Sequence, residues 1–305
     1  MFFLKRLVHA TVVVLGVSVV VFVLTRMSID PAKRMLGPSA SEEQYQNLRH
    51  QLGFARPLPE QFGEFVSDTV RLRFGESLLY GRDVMAVIQD RIAATLKLTA
   101  AGLGLAALVG IPAGLRATRR IGGKADRAIV ATSLVGLSLP QFFLGITLII
   151  VFGVKFGILP TSGGGGVDHL VLPALTLAVP AAGRIAQITR SAVAALETQR
   201  YVTAARASGM SERFVLWRRV LPNAAVPITS RVGWELAGML AGGTIVVETV
   251  FAYPGLGSLA TAALQRGDIP LVQGVVFVVA AMVATVNLLT DGVFRILDPR
   301  IGARG

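Results

Sequence analysis

The sequence predicts an all-α polytopic membrane protein with six transmembrane helices and a small helical extracytoplasmic loop domain. Three observations lead there. Apolar residues make up 53% of 305 positions and charged residues 16%, too oily a balance for a soluble globular chain of this length. Four stretches carry no acidic or basic residue: Leu7 to Thr25, Leu98 to Leu115, Ala128 to Val154 and Ile269 to Thr290, of 19, 18, 27 and 22 residues. At about 1.5 Å per helical residue, such lengths suit a hydrocarbon core of about 30 Å. Finally, the basic residues are sorted by connecting segment, which is topological information.

The first span opens behind Lys5 and Arg6 and ends at Thr25-Arg26-Met27-Ser28. Its apolar run exceeds a signal-peptide core and no small-x-small cleavage site follows, so it reads as an uncleaved anchor. The loop of residues 26–94 is not linker-like. Ser39-Ala40-Ser41-Glu42 reads as a capping box opening a helix through about Gln51, and Pro57 to Arg73 is helix-compatible behind Pro57-Leu58-Pro59. Asp83 to Thr95 has helical spacing in Val84, Val87, Ile88 and Ile92 and runs into the second span. The third span is the charge-free run Ala128 to Val154.

Two weaker segments, Leu170 to about Thr189 and Ala224 to Val250, are interrupted by Arg184 and by Arg231, Glu235 and Glu248. Charge decides that both cross. With six crossings, one side of the membrane holds Lys5 and Arg6, five basic residues from Arg116 to Arg127, eight from Arg184 to Arg231 and three from Arg295 onward. The two short loops opposite hold one each, Lys155 and Arg266, while the long loop from Arg26 to Arg91 balances nine basic against nine acidic residues. Short basic loops stay inside and long loops translocate regardless of charge, so both termini are expected in the cytoplasm.

Several classes are excluded or disfavoured. Without cysteine there are no disulfides, thiolate metal sites or cysteine nucleophiles. His9, His50 and His169 are isolated and read as surface or interfacial residues, so no metal site is expected. The net charge of +12 is spread over loops rather than gathered on a soluble recognition face, against nucleic-acid binding. Gly163 to Gly166 lacks the Lys and Ser or Thr of a phosphate cradle and reads as a turn; the nearest approach to such a motif elsewhere is Gly123-Lys124-Ala125. Gly110 with Gly114 and Gly238 with Gly242 place small residues four apart, a pattern that lets helices approach closely.

The segment Thr198 to Pro222 reads as a helix over Tyr201 to Ala207, a break at Gly209, a cap at Ser211 and an amphipathic helix stopped by Pro222. Ala204 and Ala205 offer a flat face, and Phe214, Val215 and Trp217 supply apolar area among Arg213, Arg218 and Arg219. Such a surface suits docking into a partner's groove, and equally suits an interfacial helix whose arginines meet anionic lipid.

This segment resembles the EAA loop of ABC importer permeases, Glu-Ala-Ala, three residues, Gly, nine residues, Ile-x-Leu-Pro. Ala204, Ala205, Gly209, Leu221 and Pro222 stand at matching positions, with Thr203 in place of the Glu and Arg219 in place of the Ile. Val246 to Gly257 (Val-Val-Glu-Thr-Val-Phe-Ala-Tyr-Pro-Gly-Leu-Gly), Val272-Gln273-Gly274, Leu297-Asp298-Pro299-Arg300, Arg56-Pro57-Leu58-Pro59 and Phe74-Gly75-Glu76-Ser77 are similar to the dipeptide/oligopeptide/nickel permease family. The long loop after the first span is similar to its B-type subunit.

The resemblance implies the type I ABC importer transmembrane fold, with 1–25 as the N-terminal segment and first span, 26–94 as the extracytoplasmic region, 95–297 as the core with a coupling loop at 194–222, and 298–305 as a cytoplasmic tail. It implies that Ala204, Ala205, Gly209, Met210, Phe214, Leu221 and Pro222 couple the permease to cytoplasmic ATPase subunits. These would bind ATP and Mg, the chain itself having no phosphate cradle and no catalytic residue. A sister permease, two ATPases and an extracytoplasmic substrate-binding protein are the implied partners, and di- or oligopeptides, nickel or related small solutes the implied cargo.

Charges inside spans are candidates for the gate or the path. Arg231 and Glu235, four apart, are expected to pair with each other or to meet substrate; Glu248 and Tyr253 lie beside a Tyr-Pro-Gly turn near the end of span five; Asp291 is expected to meet Arg295. Rival readings are an ion-driven secondary transporter, which calls for inverted repeats that are not visible, and an intramembrane enzyme, which calls for paired ligands or a nucleophile and base at bilayer depth.

Overall fold

In the computed structural model, residues 2–28, 36, 41–51 and 55–297 are described. The expected motif residues Asp298, Pro299 and Arg300, the tail 298–305, and Ser39 and Ala40 lie outside them. Helix α1 (Phe2–Ser28) is followed by α2 (Glu42–Gln51) and α3 (Leu58–Val70). The capping box at α2 is built by Ser41 and Gln44, whose side chains each accept from the other's backbone N–H at 3.3 and 3.0 Å. Helix α3 lays Phe62 and Phe65 against Phe22 of α1, with ring centroids 5.5 and 5.0 Å apart. The loop thereby leans on the first span.

Asp83 caps α4 (Val84–Thr118), its carboxylate accepting from Ala86 N at 3.0 Å, and the 35-residue helix runs without interruption into the second span, as the periodicity predicted. The third span departs from expectation. It is two arms, α5 (Lys124–Ser138) and α6 (Gln141–Leu148, continued by a π-helical stretch Ile149–Lys155), bent by 99°. The cause is Pro140: it holds Leu139 extended (φ −78, ψ 125) and removes an amide from the ladder.

Helix α7 (Asp168–Glu197) is the axis against which α4, α5 and α6 pack. A Cβ added at Gly110 would lie 2.7 Å from Ala182 O, and one at Gly114 2.6 Å from Ala186 O, so these glycines let α4 and α7 touch backbone to backbone. Gly238 and Gly242, the second expected pair, meet nothing within 4 Å among the described residues, and no close helix approach there uses them.

After α7 come the short α8 (Arg200–Ala207) and α9 (Glu212–Val215). From Glu212 the chain stays helical to Val250: α9, a π-helical stretch Leu216–Val220, α10 (Leu221–Gly238), a second π-helical stretch Met239–Gly243, and α11 (Thr244–Val250). Pro222 therefore does not end a helix, contrary to expectation. It sits in the first turn of α10, where its missing N–H is tolerated and the wider π turn before it relieves the ring's clash. Helices α12 (Leu256–Arg266) and α13 (Ile269–Leu297) complete the chain.

Contacts between distant residues set the directions. Thr25 meets Gln273 and Arg6 meets Asp291, so α1 and α13 are antiparallel. Val84, Val87 and Ile88 join Leu271, Val272 and Val275 in one buried cluster, so α4 runs parallel to α13. Gly102, Gly110 and Gly114 meet Leu177, Ile185 and Thr189 in order, so α7 is parallel to both. Helical passes thus alternate in direction, and Arg6, the α4–α5 turn, the α8–α9 segment and Arg295 share one end of the bundle. Four helices are long and apolar enough to cross a membrane, and the bent α5–α6 pair makes up to five. The run Leu221–Val250, carrying Arg231 and Glu235, is helical throughout and is not among these spans.

Candidate functional site

The 198–222 segment is a rigid elbow. Gly209 stands at φ +77, and its N–H donates to Arg206 O at 3.0 Å while Met210 N–H donates to Ala205 O at 3.3 Å, a Schellman closure of α8. The Glu212 carboxylate accepts from Arg206 Nε at 2.9 Å and from a terminal Arg206 nitrogen at 3.0 Å, clamping the elbow and pushing the arginine's pKa above its ordinary value. Ser211 Oγ accepts from Phe214 N at 3.4 Å and starts α9.

Val202, Ala205, Val215, Val220 and Ala224 pack together with Val193 of α7, with Met210 against the edge. Ala205 is 7% exposed, so it belongs to this packing rather than to the flat outer face predicted for it; the helix period turns only Ala204 outward. The outer face is Ala204, Gly209, Phe214, Trp217 and Pro222, with Leu221 half-buried. Phe214 and Trp217, 45% and 57% exposed, border with Arg213, Arg218 and Ser211 a shallow depression of about 360 Å3.

Glu248 is fully buried at the end of α11. One carboxylate oxygen accepts from Thr95 Oγ1 at 2.7 Å, the other from Gly257 N at 2.6 Å and Ser258 N at 3.0 Å. Thr95 Oγ1 in turn accepts from Leu256 N at 2.8 Å. The pair therefore satisfies the open amides at the start of α12, where the helix dipole favours an anion. Tyr253, also buried, donates its N–H to Glu248 O at 2.8 Å and holds the turn. Gly163 N–H donates to Phe251 O at 2.8 Å, so the glycine run packs on that same turn.

Arg231 and Glu235 do pair, as expected of one helix face, but a third residue joins them: Glu235 accepts from Arg184 Nε at 2.6 Å and from a terminal Arg184 nitrogen at 2.9 Å. Glu235 is 5% exposed, and a carboxylate so buried requires this double pairing. Lower on α7, Arg190 pairs through two nitrogens with the buried Asp126 of α5, whose other donor is Gly122 N–H at 2.8 Å. The Arg231–Glu235 pair and Glu248 are 13 residues apart on one helical run, about 20 Å, and form separate sites.

Asp291 meets Arg6 of α1 at 2.9 Å, a partner other than the expected Arg295, because α1 lies along α13. Asp268 escaped prediction. It is 1% exposed and accepts from Ser77 Oγ at 2.5 Å, Leu79 N at 3.0 Å and Leu271 N at 3.1 Å, tying the Phe74-Gly75-Glu76-Ser77 turn to the start of α13. Its signal was the left-handed glycine before an Asp and a following Pro, a helix-start pattern.

The chain matches the family described as "Binding-protein-dependent transport system inner membrane component" over residues 110–303, and that family's N-terminal region over residues 1–99. It is 36% identical to the Sinorhizobium fredii (strain NGR234) protein described as "Probable peptide ABC transporter permease protein y4tP", covering 98% of each chain. It is 35% identical to the glutathione transport system permease protein GsiC of Escherichia coli (strain K12), covering 98% of this chain and 97% of that one. Among solved structures, the MetNI methionine ABC transporter in inward-facing conformation superposes with a TM-score of 0.59 at 21% identity, over 70% of this chain and 97% of that one. An amino acid ABC transporter with histidines gives 0.56 at 20%, over 69% and 94%. The chain belongs to the binding-protein-dependent transport system inner-membrane components, the membrane-spanning permease subunits of ABC importers.

Proposed function

We propose that this permease carries di- or oligopeptides, or related small solutes such as glutathione, in partnership with a sister permease, and that the elbow at 201–222 receives the motion of a cytoplasmic ATPase. The observation that carries the coupling reading is the elbow's build: a turn locked by the Gly209 closure and the Arg206–Glu212 clamp, presenting Phe214 and Trp217 to solvent. A stiff element with an apolar tip transmits displacement; an interfacial lipid anchor needs no such clamp. The names of the relatives support the peptide cargo.

In this reading all six passes span, and the end of the bundle bearing Arg6, Arg116 to Arg127, the elbow and Arg295 faces the cytoplasm, in keeping with its excess of basic residues. ATP and Mg bind to two partner ATPases, which carry the chemistry, and an extracytoplasmic binding protein delivers cargo to the opposite end. Buried Glu248 and Tyr253 there hold the turn that the binding protein's side of the path must move. The test is co-purification of the complex, reconstitution in proteoliposomes and ATP-dependent uptake of the ligand found in the binding protein. Uptake driven by a proton or sodium gradient without ATP would overturn the reading.

A further inference from the structure

We propose that the cavity between α5, α7 and α10 is a binding site for a carboxylate of the transported solute, with Arg231, Arg184 and Gln187 as its donors. The cavity has a volume of about 480 Å3, within the range of small-molecule sites. Arg184, Gln187 and Arg190 of α7 and Arg231 of α10 line it, with Val130 and Leu134 of α5 as the apolar wall.

Charge bookkeeping points to an anion. Three guanidiniums stand around the cavity and two carboxylates lie buried behind them. Asp126 is occupied by Arg190 and Gly122, and both oxygens of Glu235 are taken by Arg184, one of them shared with Arg231. One positive charge is left over, on arginine side chains that are about a third exposed and so can meet a ligand. Donors are left over too. Arg231 Nε and Gln187 Nε2 are buried with no hydrogen-bond partner among the described residues. A single carboxylate neutralises the excess charge, and rotation of the Arg231 and Gln187 side chains turns those donors toward its two acceptor oxygens, while an organic body attached to it lies against Val130 and Leu134. A phosphodiester headgroup carries the same single charge, but its acyl chains require a long apolar groove, and this wall of Arg184, Gln187, Arg190 and Arg231 offers only Val130, Leu134 and Ile188.

The inference rests on the permease reading, and its test is built so that the two fail separately. The purified membrane complex, without binding protein, is titrated with trialanine, with trialanine carboxamide and with phosphatidylglycerol while its melting temperature is followed. The acid is expected to stabilise the wild type and the carboxamide not. R231Q should raise the half-saturating concentration about tenfold, equivalent to about 1.4 kcal/mol, and Q187L about fivefold. Q187L is the deciding variant if R231Q does not assemble, because the Gln187 amide nitrogen bonds to nothing else among the described residues. Equal stabilisation by acid and carboxamide, stabilisation by neither, stabilisation by phosphatidylglycerol alone, or an unchanged Q187L titration each overturns the site. ATP-dependent uptake of the binding protein's ligand by wild-type proteoliposomes alongside a flat titration removes the site and leaves the permease reading. A normal titration in a complex that shows no ATP-dependent uptake does the reverse.

Discussion

Glu248 and Thr95 are joined by a hydrogen bond of 2.7 Å across 153 positions of sequence, and between them they hold three backbone amides at the start of α12. Their burial makes the bond structural first: replacing Glu248 by Ala leaves Gly257 N–H, Ser258 N–H and the Thr95 hydroxyl without an acceptor. A loss of about 3 kcal/mol is expected for E248A and about 1 kcal/mol for T95V. E248Q keeps an amide oxygen for the two N–H groups and should fall between them. Thermal unfolding of the solubilised complex gives the order. If E248Q melts like the wild type but uptake vanishes, the carboxylate charge has a role in gating beyond its packing.

The Gly209 elbow separates backbone from surface. At φ +77 a β-branched residue is strained, while Asn tolerates the left-handed region, and no atom of the described residues lies within 4 Å of an added Cβ. Gly209→Val is expected to abolish ATP-dependent uptake with the chain still inserted in the membrane. Gly209→Asn keeps the turn, so its behaviour isolates the partner: substantial uptake means the turn alone matters, and loss of uptake with normal melting means the ATPase approaches the backbone here. Undiminished transport by G209V removes the elbow from the coupling path.

Asp268 joins the loop before α4 to the start of α13. D268A strips acceptors from Ser77 Oγ, Leu79 N and Leu271 N. About 2 kcal/mol of local stability should go with it, and about 1 kcal/mol with S77A. Arg73 and Arg82 flank the tied turn, so limited trypsin digestion reports the release directly. Cleavage there should speed up in D268A well before global melting changes, and an unchanged digestion pattern counts against the tie.

Much of this was legible in the sequence because the bilayer imposes simple requirements. Charge-free runs of span length gave α1, α4 and α13, and the basic excess called for the interrupted segment around Arg184 to cross, which is α7, long and apolar enough to span. The bend at Pro140 was hidden, since a proline inside an apolar run reads alike whether it kinks a span by a few degrees or by 99°. Pro222 was misread for the opposite reason: a π turn just before it absorbs the clash that local rules assign to the proline. Partners far apart in sequence were invisible. Glu235 showed one arginine at helical spacing, while Arg184, 51 positions earlier, is the one that binds it with two nitrogens. Only packing between α7 and α10 reveals it.

Ala204 and Ala205 are adjacent and alike in sequence, yet the α8 helix turns one outward and buries the other at 7% exposure among Val202, Val215 and Val220. Leucine at the two positions should therefore fail in different ways. A205L overpacks a closed cluster, and about 1–3 kcal/mol of stability is expected to be lost, with a lower melting temperature even when no ATPase is bound. A204L meets solvent in the isolated permease, so its melting temperature should stay within a degree or two of wild type. Its effect belongs to the docked state, where three added carbons stand against the partner: recovery of the ATPase on affinity purification should drop several-fold and uptake with it. Equal melting temperatures for the two variants would contradict the orientation of α8, and full ATPase recovery with A204L would move the docking face toward Phe214 and Trp217.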